Sequence, residues 1–108
     1  LLVPGGWAII QVPNANSLIA RISGDRWPAW DIPIHLTHFT KKTLVAMADD
    51  VGLIPSGIYS ASVGTFAGVL GWTTNIPGRA LIFVIDQIID MMNVGDCIML
   101  FARKPPAV

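Results

Sequence analysis

The sequence predicts an α/β fold, and three observations lead to this prediction. Apolar runs of strand length alternate along the chain with amphipathic segments of helical period. Glycine or proline stands at most of the junctions between them. The 108 residues are 53% apolar, which excludes disorder and allows a core without disulfides or metal ions. One domain spanning 1–108 is expected, and because the pattern is too short for a complete doubly wound sheet, we expect a partial domain.

Three strands are predicted. The first covers 7–12, a continuous apolar run that is typical of a central strand covered on both faces, and Pro13 stops it. A Pro-Gly-Gly turn precedes this run. The second strand covers 58–63, after Pro55, and the third covers 96–103, where two prolines prevent its continuation.

Three helices are predicted between these strands. The first covers 15–23, with Asn14 as its N-cap and Gly24 after its end. Thr40 caps the second helix, which Gly52 closes. Both helices have one apolar side, so each is expected to pack on the sheet.

The third helix covers 79–92, and Pro77 lies near its start. The secondary structure of the Gly-rich segment 64–78 before it is not predicted, and a helical turn over 66–72 is one alternative. Residues 25–39 form a long loop whose aromatic content predicts that it is ordered. One side of the third helix is a broad apolar stripe made of Ala80, Leu81, Val84, Ile85, Ile88, Ile89 and Met92.

Charge and composition exclude several classes of partner. Seven basic and seven acidic side chains give no net charge, and the basic ones are scattered, so no nucleic-acid partner is expected. Only 13% of the residues are charged and the mean hydropathy is +0.60, so part of the apolar surface is expected to contact something other than water. All seven acids are aspartates, which leaves no glutamate for acid–base chemistry.

The cellular location is predicted from cysteine usage and from the length of the apolar runs. A single cysteine cannot form an internal disulfide, and no signal peptide opens the chain, so a cytoplasmic protein is expected. The longest apolar run, 80–85, has six residues. A transmembrane helix needs about twenty, so none is expected. The chain begins with Leu-Leu-Val, in what reads as the end of a helix, and we interpret it as a piece of a longer protein.

Several motifs, at their observed spacing, resemble one family. Val-Pro-Asn occupies 12–14 at the end of the first strand, and Ser-Leu-Ile-Ala-Arg follows at 17–21. Gly-Asp-Arg-Trp at 24–27 and His-Leu-Thr-His-Phe at 35–39 come next, and Thr-Leu follows at 43–44. Over essentially the whole chain, this pattern resembles class I S-adenosylmethionine-dependent methyltransferases. The nearest subgroup is that of the ubiquinone-type O-methyltransferases and related small-molecule methyltransferases.

The resemblance implies that the chain is the C-terminal half of a Rossmann-like, seven-stranded methyltransferase sheet. Segments 7–12, 58–63 and 96–103 would be its fifth, sixth and seventh strands, with the seventh between the other two and the closing pair antiparallel. The cofactor would be S-adenosylmethionine, and its methyl group would pass to a small molecule by direct displacement. The Gly-rich turn and the acidic residue that hold this cofactor belong to the other half of the family's fold. No cofactor-binding residue is therefore expected here, and the chain alone is expected to be inactive.

Two positions depart from the family pattern. Val3 stands where the family usually has lysine, which changes only the surface. Ile34 stands where an arginine often precedes the first histidine. This second change removes a cation from the side where the substrate would bind.

The predicted loop carries the candidate catalytic residues His35 and His38. An imidazole beside the methyl acceptor can serve as general base or hydrogen-bond the substrate, because it titrates near neutral pH. The alternative is that both histidines orient the loop by bonding backbone groups. Asp31 lies near them in the sequence, but no cysteine or glutamate supports this set, so no metal site is expected.

Four residues are candidates for substrate binding. Asn14 lies at the carboxyl end of a strand, where ligands of open α/β sheets bind, although capping of the first helix also explains it. Trp27 and Trp30 form either the wall of an apolar pocket or a loop that packs on the sheet. Phe39 completes the His-x-x-His-Phe motif on the same side.

Other residues favour structural explanations. Asp49 and Asp50 at a helix C-terminus indicate a solvated end, and Cys97 within a strand indicates an inert core thiol. For the apolar stripe of 79–92, together with 63–72, core packing is the simplest explanation. The alternatives are an apolar or aromatic acceptor, a dimer contact or a membrane-surface contact.

A second function remains open, that of a non-catalytic module that self-associates. A sheet that starts at its fifth strand leaves the apolar segment 7–12 with an unpaired edge. The isolated chain is therefore expected to form a homo-oligomer, through this edge or by exchange of the helix over 79–92.

Overall fold

The structure is a computed structural model, and it describes residues 2–32, 34–62 and 76–108. Strands and helices alternate within these residues, so the predicted α/β class is confirmed. The strands are β1 (Trp7–Pro13), β2 (Ile54–Ala61) and β3 (Cys97–Arg103). The helices are α1 (Leu18–Ser23), α2 (Lys41–Asp50) and α3 (Ile76–Met91).

The last strand is the centre of the sheet. β3 pairs with β1 on one side and with β2 on the other, and both pairings are antiparallel. β1 and β2 therefore run parallel to each other, and their carboxyl ends lie together beside the start of β3. Pro13 and Ala61 mark this end of the sheet, because both pair with Cys97. The expected position of the last strand between the other two is confirmed.

β2 begins earlier than the sequence predicts. It starts at Ile54 and includes Pro55, whereas the predicted strand starts at residue 58. An edge strand tolerates proline, and the pairing register shifts between Pro55 and Gly57, as it does at a β-bulge. The strand ends at Ala61. The predicted end at Val63 and the open segment around 66–72 lie outside the described residues.

The prediction that β1 is a central strand covered on both faces is wrong for the described residues. β1 is at an edge of the sheet, and exposed side chains alternate along it with half-buried ones. Trp7 and Ile9 are on the open side, and Ile9 is 64% exposed. The apolar run indicates that both faces of the strand avoid water, but the described helices cover only one of them.

The core lies between α2 and the covered face of the sheet. Leu44 and Ala48 from α2 are fully buried against the central strand. These contacts are the main hydrophobic contribution to the fold, because burying one leucine side chain contributes roughly 1.5–3 kcal/mol. The β3 side chains in this cluster are Ile98, Leu100 and Ala102.

α1 starts three residues later than predicted, and its N-cap is a different residue. Ser17 is the N-cap, and its hydroxyl oxygen accepts a hydrogen bond from the backbone N–H of Ala20 at 3.0 Å. The predicted cap, Asn14, forms a turn before the helix instead, because its side-chain oxygen accepts from the N–H of Asn16. The predicted end at Gly24 is confirmed, with a positive φ of 54°.

The predicted loop over 25–39 is ordered by two short 3-10 turns at its start. These turns are Gly24–Arg26 and Pro28–Trp30. Pro33 lies outside the described residues. The other local predictions hold at α2, where Thr40 forms a capping box with Thr43 and Asp49 and Asp50 are exposed.

Core packing explains only part of the apolar stripe of the third helix. Ile89 is buried and Ile85 is half-buried, whereas Leu81, Val84 and Ile88 are each about half exposed. Ile89 shares the protein-facing side of α3 with Asp86 and Asp90, which accept hydrogen bonds from Ser62. These carboxylate contacts orient the helix, and the rest of its apolar stripe is left largely exposed.

Candidate functional site

The candidate site lies at the carboxyl end of β1, where the long loop returns to the sheet. Asn14 forms a parallel bridge with Phe39, and the backbone N–H of Ala15 donates to the Phe39 carbonyl at 2.8 Å. The N–H of Asn14 donates to the Asp96 carbonyl at 2.8 Å, which ties the same position to the start of β3. Ligands of open α/β sheets bind at the carboxyl ends of strands. The His-x-x-His-Phe motif is therefore brought to an edge of the sheet that suits a ligand.

Trp27, Trp30 and His38 form an aromatic cluster in this loop. The rings of Trp27 and Trp30 pack edge to face with centroids 5.0 Å apart, and the Trp30 and His38 rings do so at 4.8 Å. Trp27 is buried against α1. Trp30 is partly exposed, and its indole N–H donates to the Gly24 carbonyl at 2.8 Å. Of the two tryptophans, Trp30 is the one with surface to offer a substrate.

The hydrogen bond of His38 fixes the state of its ring. Nε2 of His38 lies 2.8 Å from the carbonyl oxygen of Trp30. A carbonyl oxygen can only accept, so Nε2 carries the hydrogen and donates it. In the neutral imidazole, Nδ1 is then the nitrogen that can take up a proton. The loop contact and a general-base role are thus compatible in one side chain.

His35 is held more loosely, by Asp31. Its backbone N–H donates to the Asp31 carbonyl at 2.9 Å. Its Nδ1 lies 3.6 Å from Oδ2 of Asp31, which is an ion-pair distance and is too long for a hydrogen bond. Both side chains are more than 40% exposed. Water therefore weakens this contact, and His35 is less firmly positioned than His38.

The side chain of Asn14 is committed to the backbone around it. It is buried, and its Nδ2 donates to the Gly95 carbonyl at 2.9 Å while its oxygen accepts from the N–H of Asn16 at 3.1 Å. Asn14 thus joins β1 to the turn before β3. Phe39, the other candidate beside it, is half-buried and packs against the core under α2. Both residues position this edge of the sheet.

The structure also contains a polar cleft next to Asn14, which the sequence did not predict. Its volume is about 340 Å³. Asn14 is the one lining residue that the sequence analysis singled out as a ligand-binding candidate. The available signal was a pair of lysines in the first turn of α2, where positive charge opposes the helix dipole. The cleft is lined by Asn14, Asn16, Arg21, Thr40, Lys41, Lys42, Asn93 and Val94.

A larger cavity of about 600 Å³ lies at the opposite end of the strands, near the start of β1. Among the described residues, Lys104 is the only charged one in its lining, and its Nζ donates to the Leu2 carbonyl at 2.7 Å. These described lining residues include no candidate base or nucleophile, so the cavity is a weaker candidate for chemistry than the first site. The lining residues are Leu2, Ala8, Val51, Gly52, Leu53, Lys104 and Pro105.

A metal-binding group and a membrane-spanning helix are both absent from the described ranges. No group of three histidine, cysteine or aspartate side chains there is arranged to hold a metal ion. No helix in the same part of the chain combines the length and the apolarity that crossing a membrane requires.

No protein-family model matches the chain, and no curated protein is significantly similar to it.

Proposed function

We propose that this chain is the acceptor side of a class I S-adenosylmethionine-dependent methyltransferase that acts on a small molecule. The observation that carries the proposal is the strand order. The last strand lies between its two predecessors, which is the position that the motif resemblance implies for the seventh strand, and its antiparallel pairing with β2 agrees with the implied antiparallel closing pair. The sequence motifs and the sheet topology favour the same fold.

The position of the histidine motif supports the same proposal. The loop that carries His35 and His38 meets the sheet at the carboxyl end of β1, through the bridge between Asn14 and Phe39. A substrate bound at this edge would lie near the loop, as in other open α/β enzymes. A binding role for this loop also explains why a long segment is ordered by specific aromatic contacts.

Within this proposal, His38 is the general base for an acceptor hydroxyl. Its Nε2–H is used on the Trp30 carbonyl, so its Nδ1 would accept the proton that the acceptor oxygen loses. Trp30 orients the ring and offers apolar surface. His35, which is more exposed, would contact the substrate by a hydrogen bond.

The described residues do not fit the cofactor. The family holds S-adenosylmethionine with a Gly-rich turn and an acidic residue that follow two other strands of the sheet. In this chain the strand ends lead to Asn14 and to Ser62, and neither forms such a turn in the described residues. In this proposal the cofactor site is therefore supplied by residues other than the described ones.

A self-associating module is the second candidate function, and the open face of the sheet favours it. Trp7, Ile9 and Tyr59 are each more than half exposed on this face. A surface of this kind is typical of an interface. In the methyltransferase proposal the rest of the domain covers it, whereas in the module a second copy does.

The discriminating experiment is an assay of the complete protein with S-adenosylmethionine labelled in the methyl group. Transfer of label to a small-molecule acceptor is expected, and the upstream sequence is expected to contain a strand followed by a Gly-x-Gly turn. The 108-residue chain is the matched control, and calorimetry on it is expected to show no S-adenosylmethionine binding tighter than about millimolar, since the cofactor residues are elsewhere. A complete protein that neither binds the cofactor nor has the upstream turn would overturn the methyltransferase proposal.

A further inference from the structure

We propose that the polar cleft beside Asn14 binds an anionic oxygen group, a carboxylate or a phosphate, of a small-molecule ligand. The proposal concerns the cleft itself and stands without methyl transfer. Combined with the proposed function, it gives the methyl acceptor a negative charge, whereas an apolar or aromatic acceptor was one of the alternatives for the apolar stripe of 79–92.

The first argument is charge. Arg21, Lys41 and Lys42 are three of the seven basic residues of the chain, and all three line the same cleft of about 340 Å³. The described part of its lining contains no aspartate. The remaining polar side chains of the lining are uncharged amides and a hydroxyl. The chain as a whole has no net charge. In this cleft, however, three positive charges lie together with no carboxylate among the described lining residues.

The second argument is the way in which two of these cations are held. Arg21 donates from Nε and Nη2 to the side-chain and backbone oxygens of Asn16, at 3.1 and 3.2 Å. Nζ of Lys41 donates to the backbone carbonyl of Asn93 at 2.6 Å. These neutral oxygens position the cations without neutralising them. A guanidinium has five N–H donors and an ammonium has three. Most of these donors have no protein partner among the described residues, so they are left for a ligand.

The third argument is the conflict between these charges and the helix. Lys41 and Lys42 occupy the first turn of α2, which has no acidic residue, while Asp49 and Asp50 are in the last turn. Both ends oppose the helix dipole, so each of these charges lowers the stability of the helix. A local arrangement that lowers stability is expected at a functional site. Burial also lowers the pKa of Lys41.

The site is adjacent to the candidate chemistry. Thr40, which lines the cleft, follows His38 by two residues, and Asn14 of the lining bridges to the intervening Phe39. An anionic group in the cleft would anchor one end of a ligand at the carboxyl end of β1. The rest of the ligand could then extend along the histidine loop.

The test is an NMR titration of the whole chain with inorganic phosphate and, separately, with acetate, at constant ionic strength with chloride as the balancing anion. Saturating shifts are expected at the backbone amides of Lys41 and Lys42 with at least one of the two anions. Saturation by phosphate alone assigns a phosphorylated ligand, and saturation by acetate assigns a carboxylate ligand. Shifts that grow linearly without saturation, or no shifts at these amides with either anion, would overturn the proposal.

Three variants complete the test. Arg21→Gln and Lys42→Gln are each expected to weaken anion binding roughly tenfold, because each loses a charge-assisted hydrogen bond. Lys42 makes no hydrogen bond to the described protein, so Lys42→Gln tests the cleft without disturbing the fold. Arg26→Gln, at an exposed position outside the cleft, is the matched control and is expected to bind like the parent chain. Equal affinity in all three variants would also overturn the proposal. Because no cofactor or turnover is involved, failure of the methyltransferase proposal leaves this result unaffected.

Discussion

At the scale of single residues, the hydrogen bond between His38 and Trp30 connects loop structure to chemistry. The sequence offered two alternatives for this histidine, a catalytic base or a loop contact, and the geometry makes them compatible. The bond occupies Nε2 and orients the ring, and Nδ1 keeps the lone pair that a base requires. His35 differs from His38 because its ring has no such hydrogen bond among the described residues. Its Nδ1 lies 3.6 Å from the exposed carboxylate of Asp31.

A substitution at His38 can separate its two roles. His38→Gln keeps a donor near the position of Nε2 but removes the base. In the complete enzyme, turnover is expected to fall by roughly 10²- to 10⁴-fold while the melting temperature changes little. His38→Ala, which also loses the loop contact, is the comparison, and steady-state kinetics and thermal unfolding are the measurements. An unchanged rate together with a lower melting temperature in the alanine variant would assign His38 a structural role only.

Cys97 allows a test of burial at a single atom. The thiol is buried at the start of β3, and burial raises its pKa, as does the nearby Asp96 charge, while a hydrogen bond with Gln11 lowers it. The folded chain therefore favours the neutral thiol. Its contribution to stability is fully present below the ordinary pKa of the thiol and is lost as the pH rises through the raised pKa.

Thiol labelling tests this assignment. We expect Cys97 to react with a disulfide reagent roughly 100-fold more slowly in the folded chain than in denaturant, because the reagent needs an accessible thiolate. The chain has one cysteine, so the signal is unambiguous. Equal labelling rates in the two states would show that β3 does not protect its first residue.

At the scale of elements, the two faces of the sheet differ in what covers them. α2 packs Leu44 and Ala48 on one face, against Leu100 of the central strand. The opposite face carries exposed apolar side chains, among them Ile9 and Tyr59. An apolar pattern on both faces of β1 identifies the surfaces that avoid water, but it does not say which part of the molecule covers each one.

Paired truncations measure this difference. Leu44→Ala is expected to lower the free energy of unfolding by about 2–5 kcal/mol, because it leaves a cavity in a fully buried site. Ile9→Ala, on the open face, is expected to cost less than about 0.5 kcal/mol. Denaturant unfolding of both variants gives the comparison. Similar losses in the two variants would mean that the open face is buried in solution, and a concentration-dependent loss for Ile9→Ala would identify a second copy as its cover.

At the scale of the whole molecule, the described residues leave two apolar surfaces without cover. One is the open face of the sheet, and the other is the stripe of α3 around Leu81, Val84 and Ile88. The free edge of β1 adds unpaired backbone groups beside the first of them. With only 13% charged residues, the chain has few groups to oppose association.

The isolated chain is therefore expected to form a dimer or a higher oligomer. Association through the β1 edge continues the sheet, and exchange of α3 buries its stripe. Light scattering over a wide concentration range measures the mass without any substitution. A monomeric mass at high micromolar concentration, with the amide dispersion of a folded protein, would contradict this expectation.

The sequence by itself determined the α/β class, the number of strands and helices among the described residues, and most of the helix ends. These features depend on local chemistry, namely apolar periodicity, the Thr40 cap and the glycine after α1. Tertiary structure helps to hold Asn14 in the turn before α1, because Gly95, from a distant turn, accepts a hydrogen bond from its amide. The Asn14 side-chain oxygen accepts from Asn16, and Ser17 is the N-cap.

Tertiary structure alone decided the candidate site and the fate of the apolar faces. The cleft joins residues from the end of β1, the start of α2 and the turn before β3, and sequence spacing does not encode such proximity. The side of α3 that faces the protein carries Asp86 and Asp90 beside the buried Ile89, because Ser62 donates hydrogen bonds to both carboxylates. A periodic pattern shows that a helix has two different sides, but the partners that fold against it determine which side is buried.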